Sequence, residues 1–141
     1  MTSSRSIYRR LLQATFLGDR EAMAVAAAEL EGKEVTWADS GLLAASVFTL
    51  AVRDWFADSV DEAGVKELAL AASDRSDQEL STVKTVIWSA LGHDNLVDEV
   101  SPMQRMRAQV AIVTEIITKA EGTAEEVSGL MDQAEQMLDE M

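Results

Sequence analysis

Apolar residues recur along most of this chain at intervals of three and four, the spacing that gathers them on one side of an α-helix. In the first segment, Ser4 to Gly18, Ile7, Leu11, Ala14 and Gly18 share a side that Tyr8, Leu12 and Thr15 widen, while Arg9 and Arg10 lie towards the other. A second, alanine-rich segment runs from Arg20 to Glu31, with Asp19 placed to cap it and Gly32 to end it. The third, Trp37 to Ala57, carries Leu42, Leu43, Val47, Phe48, Leu50, Val52, Trp55 and Phe56 on nearly all sides. A helix that is apolar all round belongs inside a core, so residues 37–57 are expected to form the central buried helix.

The fourth segment, ending near Ala72, turns Val65, Leu68, Ala69 and Ala72 to one side. The fifth aligns Leu80, Val83, Val86, Ile87, Ala90 and Leu91 and stops at Gly92. After a polar connection, His93 to Val100, a sixth helix runs from Pro102 to Ala120 with Met106, Val110, Val113, Ile116 and Ile117 inward. Gly122 breaks it, and Ala124 to Met141 forms the last. No stretch alternates over a strand-like length. The pattern therefore predicts an all-α fold, one domain spanning residues 1–141 and built from six to seven helices. A long apolar helix followed by a break and an amphipathic helix occurs twice. Val65, Leu68 and Ala72 then match Val127, Leu130 and Ala134, each 62 positions on. Stacked helical hairpins would produce this echo, and so would coincidence in a helix-rich chain.

Helix starts are marked by a Ser or Thr followed three residues later by Asp, Glu or Gln: Thr36 with Asp39, Ser59 with Glu62, Ser76 with Glu79, Ser101 with Gln104, and Thr123 with Glu126. Each pair is expected to act as a capping box or its Asp variant, the hydroxyl accepting from an early helical N–H and the longer side chain reaching back. Ser101-Pro102 is the clearest start, because proline suits the first helical position.

Candidate function centres on the last helix. Val127, Leu130, Met131, Ala134, Met137, Leu138 and Met141 fall within an arc of about 120°, and every acid lies outside it. This stripe either docks on the domain's own core or fills a groove on a partner, and its methionines suit an adaptable contact. Residues 121–141 hold seven acids and no Lys or Arg, whereas residues 1–18 hold Arg5, Arg9 and Arg10 and no acid. These two ends are complementary, within one chain or across a homodimer axis. The candidate interface is thus Arg5, Arg9, Arg10, Val127, Leu130, Met131, Met137, Leu138 and Met141.

Composition narrows the classes. The 141 residues carry a net charge of −13, and 48% of them are apolar. Such an acidic chain repels nucleic-acid phosphate and anionic membrane, so direct nucleic-acid binding is not expected. The absence of Cys excludes disulfides and thiolate chemistry. The basic-then-apolar N-terminus has the order of a signal peptide, but Gln13 and Thr15 interrupt it and a small-residue cleavage site is missing. The longest uncharged run, Ser40 to Val52, is too short to cross a bilayer. A cytoplasmic location is the expectation.

Reactive groups are sparse. His93, the only His, stands among Asp94, Asp98 and Glu99, and right after a helix-ending Gly these are ordinary turn residues. A second carboxylate cluster, Asp58, Asp61 and Glu62, lacks calcium-loop spacing and reads as capping. Trp37, Trp55 and Trp88 raise the alternative of an aromatic-lined ligand pocket, although Trp at helix crossings is commonly core. The expected function is a non-enzymatic accessory, regulatory or immunity-type interaction protein, without cofactor or metal, meeting a basic protein partner or itself. A small-molecule sensor and an acidic nucleic-acid mimic are the alternatives.

Overall fold

The computed structural model describes residues 4–31, 37–57, 60–92 and 100–140, with side chains from Arg5 in the first segment and from Gly41 in the second. Among the described residues the chain is all-helical, with seven helices and no strand. They are α1 (Ser4–Leu17), α2 (Arg20–Leu30), α3 (Trp37–Trp55), α4 (Glu62–Ser76), α5 (Leu80–Ala90), α6 (Pro102–Lys119) and α7 (Ala124–Asp139). Contacts group into two units, Met1–Val47 with Ile117–Met141, and Phe48–Ile116. In the first, α1 packs against α2 and α7; in the second, α4 packs against α5. The two segments of the 62-residue echo thus have different partners, since α4 pairs with the helix after it and α7 with the first helix of the chain.

α3 is the buried helix that its composition predicts. From Gly41 to Val52 no residue is exposed, and Leu43, Val47, Phe48 and Val52 are almost wholly covered. Its end departs from the expectation: Arg53, Asp54 and Trp55 are exposed, with Trp55 at 40%. A second buried helix was hidden by its polar residues. In α6 no residue from Ala108 to Ile117 is exposed, and Gln109 and Thr114 are buried among Ala108, Ala111, Ile112 and Val113. The Thr114 hydroxyl donates to the Val110 carbonyl one turn back, so it enters the interior already satisfied.

Two of the five capping expectations hold as drawn. Ser101 Oγ accepts from the Gln104 N–H while Gln104 Oε1 accepts from the Ser101 N–H. Thr123 and Glu126 make the same reciprocal pair at the start of α7. Ser76 does something else. α4 continues through it, its hydroxyl donates to the Ala72 carbonyl, and α5 opens at Glu79 without a side-chain cap. α4 itself is capped by Asp61, which accepts from the Gly64 N–H. Ser59, Thr36 and Gly32 lie outside the described residues.

Helix ends use the left-handed conformation more widely than glycine placement suggests. Gly18 and Gly92 have positive φ, as do Asp77 (φ 55°) and Glu121 (φ 54°). At α6 the Gly122 N–H donates to the Ile117 carbonyl and the Glu121 N–H to Thr118, the paired bonds of a Schellman ending. The left-handed residue is therefore Glu121, one position before the glycine expected to break the helix.

Candidate interaction surfaces

Part of the sequence-predicted interface comes together between α1 and α7. α7 turns Val127, Met131 and Ala134 into the interior, with Leu130, Met137 and Leu138 half-buried along the edges. Met141 lies outside the described residues. Beside this stripe, the arginines of α1 meet the acids of α7. Arg9 pairs with Asp132 Oδ1 at 2.7 Å and Glu135 Oε1 at 3.4 Å, and also donates to the carbonyl and hydroxyl of Ser128. Arg5 reaches Asp139 at 3.1 Å and the Glu135 carbonyl at 3.1 Å. Arg10 turns the other way and pairs with Glu29 on α2. In the single chain the stripe lies against the chain's own helices, with α7 packed on α1. Tyr8, on the same helix, is buried, which pushes its phenol up to about 12 by desolvation of the charged form.

With α7 occupied, other surfaces stand out. On α4, Glu62, Lys66, Glu67, Leu70 and Asp74 share an arc of about 140° opposite the buried Val65, Leu68, Ala69 and Ala72. Asp61 before it and Asp77 after it are exposed as well, and Leu70 at the centre is 45% exposed. The other base of the helix, Arg75, is engaged by Glu115 of α6 at 2.7 Å. The outer face of α4 thus carries three acids and one lysine about one exposed leucine.

A second surface lies between α1 and α2. The link Gly18-Asp19 is tight: Gly18 takes positive φ, the Asp19 N–H donates to the Ala14 carbonyl, and the Asp19 carboxylate caps α2 on the Ala22 N–H. α2 buries one residue, Ala26, so its other small side chains remain outside. The groove that results is lined by Ala14, Ala22 and Ala26, by Leu17 and Val25, by Arg10 and Gln13, and by Asp19 and Glu21. Its sequence signal was an alanine-rich helix with too few large apolar residues to cover both sides.

Of the aromatic and titratable candidates, only the side chains of Trp55, Trp88, Asp61 and Glu62 lie among the described residues. Trp55 sits exposed at the end of α3, Trp88 is half-buried in α5, and the Trp37 side chain lies outside the described residues. His93, Asp98, Glu99 and Asp58 also lie outside them. Among the described residues there is no group of three His, Cys, Asp or Glu side chains that could hold a metal ion. None of the described helices is long and apolar enough to cross a membrane. No known protein family, curated protein or solved structure matches this chain.

Proposed function

We propose that this protein is a non-enzymatic interaction or regulatory module that recognises a basic protein partner through its acidic exterior. The observation carrying this reading is the outer face of α4, where Glu62, Glu67 and Asp74 outnumber Lys66 on the arc that holds the exposed Leu70. The excess of acid over base on this face attracts a cationic partner and steers its encounter. An apolar residue at the centre of a charged rim matches the anatomy of a protein interface. In this reading the amphipathic α7 is a supporting element, because its stripe already covers α1.

The test compares proteins retained from cell extract by the wild-type chain with those retained by an E67K/D74K variant, at low and high salt. A partner held by the wild type at low salt, released at high salt and absent from the variant supports the proposal. Equal retention by the variant, or retention indifferent to salt, overturns it.

A further inference from the structure

We infer that the groove between α1 and α2 is a docking site for an amphipathic helix of a partner protein, one with an apolar face flanked by Lys or Arg. This site is separate from the acidic face of α4 and does not rest on it.

The shape follows from the side chains. Ala14, Ala22 and Ala26 line the groove with small side chains, which lets another helix approach closely, and Leu17 and Val25 in the same lining are 38% and 54% exposed. Apolar side chains of this size left half in water beside a concave surface gain from being covered. The stretch of α1 from Arg10 to Leu17 is about 10 Å long at the helical rise, room for two turns of an incoming helix with anchors three or four residues apart.

Charge selects the occupant. Arg10 is already paired with Glu29 at the groove. The remaining charged residues lining it are Asp19 and Glu21, both exposed. A second copy of this chain would bring its own Asp19 and Glu21, and a net charge of −13, against the same acids. An anionic lipid surface is repelled for the same reason. A helix with cationic flanks is attracted to the rim while its apolar side covers Leu17 and Val25.

The experiment titrates the full-length, 15N-labelled chain with a synthetic 14-residue helical peptide, leucines on one face and lysines elsewhere. Saturable amide shifts centred on Leu17, Ala22, Val25 and Ala26 are expected. An L17D/V25D variant adds negative charge and would strengthen purely Coulombic binding, yet the inference expects at least a tenfold loss of affinity. A peptide with its leucines replaced by alanine should show the same loss. Shifts spread over α4 and α7, undiminished binding by the variant, or no saturable binding would each overturn the inference. Should L17D/V25D fail to fold, the map of shifts on the wild-type chain and the alanine peptide decide.

Discussion

Arg9 and Asp132 stand 2.7 Å apart and tie the first helix of the chain to the last. The two partners are unequal. The Asp132 side chain is 69% exposed and rehydrates readily, whereas Arg9 is 19% exposed and also supports Glu135 and Ser128. Replacing Asp132 by Asn should therefore cost less than about 1 kcal/mol, the range of exposed ion pairs. Replacing Arg9 by Ala removes several bonds at once and should cost about 1–2 kcal/mol. Urea unfolding measures both, and amide exchange within α7 should accelerate in the Arg9 variant. Equal effects of the two substitutions would show that Asp132 alone holds the contact.

Apolar packing outweighs these pairs. Met131 is 0% exposed, so Met131→Ala leaves a cavity and should destabilise by about 2–5 kcal/mol. Met137, half-buried on the same helix, should lose less than half as much on the same substitution. Midpoints of denaturant unfolding for the two variants check the order. A reversed order would mean that the stripe faces elsewhere in solution.

Backbone strain at the end of α6 gives a stabilising substitution. Glu121 has φ 54°, a conformation costing a non-glycine residue about 1–2 kcal/mol, while glycine's freedom in the unfolded chain offsets part of the relief. Glu121→Gly should raise stability by up to about 1 kcal/mol. Gly92→Ala should lower it, because Gly92 has φ 98°, and open space around the missing Cβ leaves backbone strain as the whole cost. Thermal unfolding should move upward for the first and downward for the second.

Tyr8 predicts an alkaline limit. Its phenol is raised from 10.0 to about 12 by burial, so the folded state holds the proton more tightly than the unfolded one. The stability from this group is complete below pH 10 and is lost between pH 10 and about 12, with a slope approaching about 1.4 kcal/mol per pH unit. Tyr8→Phe should flatten that slope. Because Tyr8 is the only tyrosine, absorbance of the tyrosinate reports its ionisation directly. Ionisation near pH 10 without unfolding would show that the ring is open to water.

Much of the secondary structure was legible because helix signals are short-range. Asp19, the Ser101 and Gln104 pair, and the Thr123 and Glu126 pair each act on N–H groups within one turn, and all three begin helices where the sequence places them. The complementarity of Arg5 and Arg9 with the acids of α7 was legible too, since charge asymmetry needs no structure to be seen.

Ser76 shows where local reading stops. Its spacing to Glu79 fits a cap, yet a helix already running through Ser76 claims the hydroxyl for the Ala72 carbonyl. The same limit hid how fully α6 is buried, since the polar Gln109 and Thr114 are covered along with its apolar residues. It hid the α1–α2 groove as well, since Val25 is apolar wherever it sits. The chain alone determines its helices, the residues that begin several of them and the charges at its two ends, because these depend on neighbours a few residues away. Only the tertiary structure decides that α7 covers α1 and that Val25 and Leu70 face water. The coverage of a face depends on which distant segment packs against it, and helical spacing carries no record of that.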